Sequence, residues 1–300
     1  MIKGTENCHM NFDAFVKDIQ DNSWNVFGVE VYKKGQLIHS YGDTMENLHE
    51  IYSATKTVLS VAVGIASDEN RFDIKRSLLS YLPSDKTDGL SKEQQDVFDR
   101  ITIQRLLTMS VGDFPFRPEG ENYLDFSLNT KITDPDERKF NYSNISAYLV
   151  GVALTESLKT DLGTFIEERI FSPLGIERYE YSRSPEGYFY GASGMKMTVN
   201  GLSRIGLLLY QKGSFNGQRI LSEEYVNAAT SIQQMNREGG YGYFIWKYRD
   251  GFSINGKMKQ KCYVLPDQDL VITYLSHIED DSHALLESME KHIVFGELNK

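Results

Sequence analysis

Hydrophobic and polar positions follow three patterns in the first 66 of the 300 residues. Residues 11–20 have apolar side chains at helical spacing, which predicts a short amphipathic helix. Residues 26–33 and 36–41 are two strand-like runs separated by a lysine and a glycine, a pattern typical of a tight β-hairpin. Residues 51–66 are apolar almost without interruption in their second half, which predicts a helix buried on all sides.

The middle of the chain has a different pattern, because short apolar stretches alternate there with proline, glycine and aspartate. The spacing predicts helices at 101–110, 144–158 and 165–170. Residues 112–141 are polar and contain prolines, which indicates a loop. A loop of that length in a compact domain is usually functional.

The last third of the chain again combines helices and strands. The predicted helices are 200–212, 222–231 and 282–294, and the predicted strands are 241–248, 252–254, 261–265 and 270–276. This order predicts an α+β fold, in which an antiparallel sheet is flanked by helices and carries an inserted all-helical subdomain. We expect a single domain over 1–300, with an α/β subdomain of 1–66 plus 191–300 and a helical subdomain of 67–190.

Composition narrows the possible functions. The net charge of −10 argues against nucleic acid or anionic membranes as partners. No stretch approaches the ~18–20 apolar residues of a membrane span. Two cysteines make no disulfide framework, and the six histidines lack metal-ligand spacing, so we expect no metal and no other cofactor. The first residues lack a signal-peptide core, which favours a cytoplasmic protein unless a leader has been removed.

Ser53 and Lys56 stand three residues apart in the first turn of the predicted buried helix. Residues at that spacing share a helix face, so the hydroxyl and the amine can touch. Burial and the positive end of the helix dipole both favour the neutral amine. A neutral amine beside a hydroxyl is a general base beside a nucleophile, the S-x-x-K arrangement of serine acyl-transfer enzymes. The alternative is that Ser53 is only a helix cap.

The S-x-x-K spacing occurs three times, so the surroundings must distinguish the copies. The copy at Ser193 lies in a glycine-bracketed loop with no apolar helix directly behind it. The copy at Ser288 lies in a polar C-terminal helix, which predicts a solvated surface position. Only Ser53 begins a buried helix, and we therefore predict it as the nucleophile, with Lys56 as its base.

A second candidate stretch precedes the predicted helix 144–158. It contains Tyr142 and Asn144, a Y-x-N pair. A tyrosine held near a lysine can lose its proton more easily and can shuttle protons. An asparagine offers a donor and an acceptor, which can orient the lysine or a substrate amide. The alternative is a polar helix cap that follows an aromatic core residue.

A third candidate stretch, residues 255–260, precedes the predicted strand 261–265. An edge strand there can offer the Gln260 N–H as half of an oxyanion hole, with the Ser53 N–H as the other half. Lys257 adds positive charge that a substrate anion can contact. The alternative is a basic, solvated edge, since lysines protect exposed strand edges.

These stretches together resemble one family. The chain is similar to the serine β-lactamase-related family, in particular its branch of class C β-lactamases, penicillin-binding D,D-peptidases and esterases. Ser53-Ala54-Thr55-Lys56 matches the serine motif of that family, and Tyr142-Ser143-Asn144 matches its tyrosine motif. Further similar stretches are 101–110, 171–175, 191–198, 201–210 and 218–222. The resemblance extends from about Phe12 to Ser276 and implies a β-lactamase-like fold.

The third motif departs from the family pattern of a basic residue, a small or hydroxyl residue and a glycine. By spacing to Pro266, this motif falls on Lys257-Met258-Lys259. In the family the hydroxyl helps to hold a substrate carboxylate, and Met258 cannot donate that hydrogen bond. The departure therefore affects recognition of β-lactams and D-Ala-D-Ala more than it affects acyl transfer.

We therefore predict a serine hydrolase that forms an acyl-enzyme on a small ester or amide. The predicted catalytic residues are Ser53, Lys56 and Tyr142, and the predicted substrate-binding residues are Asn144, Lys257, Gln260, Met258 and Arg117. The substrate should lie between the helical insertion and the sheet, where Phe114, Phe116, Arg117 and Tyr123 can select the leaving group. Two alternatives remain: a true β-lactamase or D-Ala-D-Ala carboxypeptidase, and a non-catalytic sensor or binding protein on the same scaffold.

Overall fold

The computed structural model describes residues 8–298. The helices are α1 Phe12–Asp21, α2 Thr55–Asp68, α3 Ser84–Thr87, α4 Lys92–Phe98, α5 Ile103–Leu107, α6 Tyr123–Leu128, α7 Asn144–Leu158, α8 Leu162–Ile166, α9 Ser172–Leu174, α10 Val199–Tyr210, α11 Glu223–Thr230 and α12 Ala284–Met289. Additional 3₁₀ turns are Tyr52–Ala54 and Pro266–Gln268, and π turns are Glu167–Phe171 and Glu290–Val294.

The strands form one large sheet and several short pairs. They are β1 Cys8–His9, β2 Val26–Lys33, β3 Gln36–Gly42, β4 His49–Glu50, β5 Tyr179–Glu180, β6 Lys196–Met197, β7 Ser214–Phe215, β8 Gln218–Arg219, β9 Trp246–Tyr248, β10 Gly251–Gly256, β11 Gln260–Leu265, β12 Leu270–Ser276 and β13 Glu297–Leu298. The large sheet has six strands in the order β3-β2-β12-β11-β10-β9, and every neighbouring pair is antiparallel.

Helices cover both faces of the large sheet. Because side chains alternate along a strand, Tyr263 of β11 joins a core with α1 and α12. Its neighbours Cys262 and Val264 join the larger core that includes α2, α7 and α10. Gly206 lets α10 lie close to the sheet, since a Cβ at this position would overlap the Cys262 sulfur. These layers confirm the predicted α+β fold.

Helix α2 lies inside the larger core. Every residue from Thr55 to Ala66 is buried, as the continuous apolar pattern predicts. The helix contacts α7, α8 and α11, and the 3₁₀ turn that precedes it contacts β10. The N-terminal end of α2 therefore lies where the helical part of the chain meets the edge of the sheet.

Several predicted elements are confirmed, and others differ in length. The bounds of β2, β12 and α7 are those predicted. The predicted helix 101–110 is only the five residues of α5, since Met109 has a φ of 55° that ends the helical path. The predicted loop 112–141 contains α6, whose first turn is capped by the Asn122 side chain.

Other boundaries move because capping and turn residues decide them. Helix α11 begins after Ser222, whose hydroxyl accepts the Tyr225 N–H. The predicted strand 241–248 is limited to β9, because Phe244 has a φ of 57°. The predicted helices 165–170, 200–212 and 282–294 are α8 with a π turn, the slightly shorter α10, and α12 with a π turn. No helix among residues 8–298 is both long and apolar enough to cross a bilayer.

Ser288 is not the solvated residue that the sequence predicts. It is buried, and its hydroxyl donates to the Asp18 carboxylate at 2.7 Å. The His292 ring lies 3.1 Å from the same carboxylate oxygen. These contacts tie α1 to the last helical turns of the chain and lower the pKa of Asp18, chiefly through the Ser288 hydrogen bond.

We expect Asp18→Asn to lower the free energy of unfolding by about 1 kcal/mol at pH 7, because a charged hydrogen bond is lost from a partly exposed site. The Asp18 pKa is lower in the folded state, so its contribution is present above the pKa of the unfolded chain. This contribution to stability is lost as the pH falls through the pKa that Asp18 has in the folded protein. Urea unfolding at pH 7 and pH 3 measures both effects.

Asp21→Asn is the matched control, because Asp21 lies on the same helix and forms an ion pair with the exposed Lys17. That exposed pair should contribute little. Equal losses in both variants would contradict the proposed role of Asp18.

Candidate active site

Ser53 lies in the 3₁₀ turn that leads into α2. Its side chain caps neither that turn nor α2, so the helix-cap alternative is not supported. The preceding residue, Tyr52, has a φ of 48°, a left-handed conformation that non-glycine residues seldom adopt. Such conformations are concentrated at functional sites, where the surrounding structure holds them.

Lys56 is buried and reaches three oxygen atoms. Its Nζ donates to Asn144 Oδ1 at 2.7 Å and to the Ala192 carbonyl oxygen at 2.7 Å. Ser53 Oγ lies 3.1 Å away. Burial lowers the pKa of the Lys56 ammonium from 10.5 to about 7, and no carboxylate in the described part of the chain offsets that effect. A substantial fraction of Lys56 is therefore neutral at pH 7.

The three oxygen atoms around Lys56 Nζ accommodate both protonation states of the amine. A neutral amine has two N–H groups and one lone pair, whereas an ammonium has three N–H groups. The carbonyl oxygens of Asn144 and Ala192 can only accept, so they take the two N–H groups. In the ammonium the third N–H donates to Ser53 Oγ, and in the neutral amine the lone pair faces the Ser53 hydroxyl instead. The arrangement therefore suits proton transfer from Ser53 to Lys56.

Asn144 is held by the start of α7. Ser143 caps this helix, accepting the Ile145 N–H at 3.1 Å and donating its hydroxyl to the Pro115 carbonyl at 2.6 Å. The Asn144 N–H donates to the Phe116 carbonyl at 2.7 Å. These bonds attach the loop before α6 to α7, and they place the Asn144 amide beside Lys56.

Tyr142 lies in an aromatic stack beside Lys56. Its ring is stacked between Phe116, with centroids 6.4 Å apart, and Trp246, at 5.5 Å. Lys56 Nζ lies 5.0 Å from the Tyr142 ring centroid. Burial raises the pKa of Tyr142 to about 12, against the opposing effect of a hydrogen bond with Ser53. This corrects the expectation of an easily ionised tyrosine, and Tyr142 retains its proton at neutral pH.

A cavity of about 620 Å³ opens beside Ser53. Among the predicted residues, Ser53, Asn144, Arg117 and Lys257 line it. Phe116 and Tyr123 also line it, as predicted for its lips. Phe114 does not, because its side chain is buried. The structure therefore brings the serine, tyrosine and third stretches to one place, from three distant parts of the sequence.

The other two S-x-x-K copies lack the geometry of the first. Ser193 lines the same cavity as Ser53, but Lys196 is exposed and pairs with Glu180 at 2.7 Å. Ser288 contacts Asp18 rather than a lysine, and it belongs to the core on the opposite face of the sheet.

The third stretch contains a tight turn between the end of β10 and the start of β11. Met258 and Lys259 have φ values of 59° and 63°, so residues 257–259 reverse the chain between β10 and β11. Met258 does not line the cavity. The third motif therefore contributes Lys257 to the cavity and no hydroxyl donor.

Gln260 also differs from its predicted role. Its N–H donates to the Lys257 carbonyl at 3.4 Å, and its buried amide forms two hydrogen bonds with the backbone of Ser276. It does not line the cavity. This corrects the expectation that the Gln260 N–H is available as an oxyanion donor, and it makes Gln260 a residue that fixes the β11–β12 pairing.

Sequence reasoning missed Gly256, Ala192 and Tyr190. A Cβ at Gly256 would overlap the Ile51 carbonyl oxygen, so a glycine lets the end of β10 lie against the turn that carries Ser53. The Asn255-Gly256 dipeptide is a turn signal that could have indicated this position. Ala192 acts through its backbone, and Tyr190 lies in the cavity wall, so neither carries a sequence signal.

No cluster of three or more histidine, cysteine, aspartate or glutamate side chains suited to a metal ion occurs within residues 8–298. The cavity presents the hydroxyls of Ser53 and Ser193, the amide of Asn144, the cationic side chains of Arg117 and Lys257, the carboxylate of Glu119 and several aromatic rings.

Comparison with solved structures shows the fold. A provisionally named 6-aminohexanoate-dimer hydrolase from Bacillus anthracis has a TM-score of 0.76 and 21% identity, over 92% of this chain and 79% of that protein. A penicillin-binding protein homologue from Caulobacter crescentus has a TM-score of 0.72 and 14% identity, over 95% and 98%. A family VIII carboxylesterase has a TM-score of 0.72 and 13% identity, over 92% and 95%.

Sequence comparison gives the family. A search of curated proteins found no matching relative. A family profile described as Beta-lactamase matches residues 13–289, which is most of the chain. The chain therefore belongs to the beta-lactamase family.

Proposed function

We propose that this protein is a serine hydrolase that forms an acyl-enzyme on Ser53 with a small ester or amide. The observation that carries the proposal is the environment of Lys56, a buried amine 3.1 Å from Ser53 Oγ whose pKa burial lowers to about 7. A non-catalytic binding protein would have no need for such an amine, since a buried ionisable group destabilises the fold.

In the first half of the reaction, Ser53 Oγ bonds to the substrate carbonyl carbon while Lys56 takes the hydroxyl proton. The carbonyl oxygen becomes an oxyanion. The first N–H groups of a helical segment have no partner within that segment, so the Ser53 N–H can donate to this oxyanion. We assign the second donor to the Lys257 N–H, which directly follows Gly256 at the end of β10.

The leaving group then departs with a proton from the protonated Lys56–Tyr142 pair. Tyr142 suits this step, because its phenol stays protonated at neutral pH. In the second half, water attacks the acyl-enzyme and gives its proton to the neutral amine. The acid is released, and Ser53 recovers its proton.

The proteins that share this fold include one named for hydrolysis of an amide dimer and one named as a carboxylesterase. Their names are consistent with an ester or amide substrate. A second candidate is a β-lactamase or D-Ala-D-Ala carboxypeptidase, because Arg117 and Lys257 both line the cavity and could take a substrate carboxylate.

A substrate panel distinguishes the two candidates. We expect kcat/KM for p-nitrophenyl acetate to exceed that for nitrocefin and for a D-Ala-D-Ala peptide by roughly tenfold or more. The basis is that no hydroxyl residue in the third motif donates to a carboxylate, and one charged hydrogen bond is worth about 1.5–3 kcal/mol. Faster turnover of nitrocefin than of the ester would favour the second candidate. No turnover of any substrate, together with reversible binding, would favour a binding protein.

Tyr142→Phe should reduce kcat/KM for p-nitrophenyl acetate by about 10²–10⁴-fold, because it removes the proposed proton donor and keeps the ring. Tyr241→Phe is the control, since Tyr241 lies in the same aromatic cluster, with its ring centroid 6.2 Å from that of Tyr142. Its hydroxyl has no assigned role. Similar rates for Tyr142→Phe and the wild type would make Tyr142 a packing residue.

A further inference from the structure

Two tyrosines form part of the cavity wall across from the sheet. Tyr123 and Tyr190 both line the cavity, and their ring centroids are 5.7 Å apart at an interplanar angle of 60°. The fully buried Tyr148 lies behind them, 5.9 Å from Tyr123 and 6.2 Å from Tyr190. Rings at these distances favour another ring packed edge-to-face or offset.

One carboxylate fixes this wall from behind. Glu186 Oε1 accepts the Leu124 N–H at 2.8 Å, and the Tyr148 hydroxyl donates to the same oxygen. The Leu124 bond holds the first turn of α6, which carries Tyr123. Glu186 itself is four residues before Tyr190. A single side chain therefore connects the three segments that carry the three tyrosines.

The Glu186 carboxylate is charged, and within the described residues only its Oε1 accepts hydrogen bonds. Burial acts to raise the pKa of Glu186, but the Tyr148 hydrogen bond and the backbone N–H groups of α6 prevail and lower it. Its Oε2 is buried and accepts no hydrogen bond within the described residues. Buried polar atoms without a partner are uncommon, and each calls for an explanation. The hydrogen bonds that Oε1 accepts from α6 and Tyr148 explain why a carboxylate is kept at this position although its Oε2 has no partner among the described residues.

We propose that Glu186 is a positioning residue that holds Tyr123 and Tyr190 as a binding wall for an aromatic ring in the leaving group of the substrate. The proposal rests on the proposed hydrolase function for the identity of the ligand as a substrate. It goes beyond that function by naming the class of leaving group and the residue outside the cavity that selects it.

The test compares benzyl acetate with cyclohexylmethyl acetate, which differ in the planarity of one ring. Hydrolysis is followed by titration of released acetic acid, and binding of the two product alcohols is measured by calorimetry. The wild type should prefer the benzyl compound by roughly two- to tenfold in kcat/KM and in affinity, the range expected of one aromatic contact. No preference in either measurement would overturn the proposal.

Four variants separate positioning from general stability. Tyr190→Leu removes part of the wall and should bring the benzyl preference close to one. Glu186→Leu removes the acceptor and should lower the preference by raising KM for the benzyl ester, with little change in kcat. Glu186→Gln keeps an acceptor and should restore most of the preference.

Glu156→Leu is the matched control. Glu156 accepts the Tyr188 hydroxyl at 2.7 Å, another tyrosine–glutamate pair, but neither residue lines the cavity. An equal loss of preference in Glu156→Leu and Glu186→Leu would overturn the proposal. All rates are divided by the fraction of protein that a fluorophosphonate labels, so partial unfolding does not imitate the effect.

Failure of the two proposals can be distinguished. If the wild type hydrolyses neither ester but binds benzyl alcohol more tightly than cyclohexylmethanol, the hydrolase function is wrong and the aromatic wall stands. If both esters are hydrolysed at equal rates and both alcohols bind equally, the hydrolase function stands and the aromatic wall is wrong.

Discussion

Ser53→Ala should reduce ester hydrolysis by a factor on the order of 10⁴ or more, because loss of the proposed nucleophile leaves only substrate binding and the proposed oxyanion donors. The fold should persist, since the hydroxyl caps no helix and its hydrogen bonds within the described residues are with Lys56 and Tyr142. The measurement is kcat/KM for p-nitrophenyl acetate, together with thermal unfolding of both proteins.

Ser193→Ala is the matched control for that loss. Ser193 lines the same cavity and has the same spacing to a lysine, but that lysine is exposed and paired with Glu180. We expect it to keep most of the wild-type rate. If instead Ser193→Ala loses activity and Ser53→Ala keeps it, the nucleophile has been assigned to the wrong serine.

Lys56→Met should lower kcat/KM by about 10²–10⁴-fold, since it removes the proposed general base while keeping an unbranched side chain of similar length. In the wild type, kcat/KM should rise with pH on the acid limb of its pH profile and level off above about pH 7, where the Lys56 amine becomes neutral. The residual activity of Lys56→Met should lack that limb. An unchanged limb in the variant would mean that another group titrates there.

The same substitution should change how stability depends on pH. The folded pKa of Lys56 lies near 7 and below its ordinary value of 10.5, so the unfolded chain binds more protons between these pH values. The free energy of unfolding therefore rises with pH between about 7 and 10.5. Below this window the buried, protonated Lys56 destabilises the fold by its full amount. The difference in unfolding free energy, wild type minus Lys56→Met, should increase by about 2–3 kcal/mol from pH 6 to pH 9.

Urea unfolding at pH 6 and pH 9 measures this difference. The comparison is independent of the unpaired Asn144 and Ala192 oxygens that the variant leaves, because those do not titrate in this range. A difference that stays constant with pH would show that Lys56 has an ordinary pKa in the folded protein.

The helices and strands that were predicted well are those whose bounds are set by a single local pattern of residues. Helix α7 has the predicted bounds, because its residues are small or apolar throughout and Ser143 caps its first turn. Strands β2 and β12 also have the predicted bounds. The prediction failed where a non-glycine residue adopts a positive φ, as at Met109 and Phe244, since no residue type there indicates the turn.

The candidate site was predictable to the extent that it is built from motifs. The spacing of Ser53 and Lys56 on a buried helix predicted their contact, and the Y-x-N pair predicted that Asn144 reaches the lysine. The state of Tyr142 was not predictable, because burial outweighs the nearby amine. The third motif was misjudged, since Lys257-Met258-Lys259 forms a turn that contains no glycine.

The groups that support the site are the least visible in the sequence. Ala192 contributes a carbonyl oxygen, which any residue can supply. Glu186 acts through Tyr148 and α6, elements distant from it along the chain. Contacts of this kind depend on how separate elements pack, and they follow from the three-dimensional arrangement rather than from local residue type.

The roles of Ser53 and Lys56 are tested most directly by the pH dependence of the reaction of the wild-type protein with a fluorophosphonate, followed by peptide mapping. We predict a single adduct on Ser53, with a labelling rate that rises through about pH 7 as Lys56 becomes neutral. The adduct should be absent from Ser53→Ala and greatly slowed in Lys56→Met. An adduct on Ser193, no adduct at all, or a rate that is flat across this pH range would contradict the assignment of Ser53 and Lys56 as nucleophile and base.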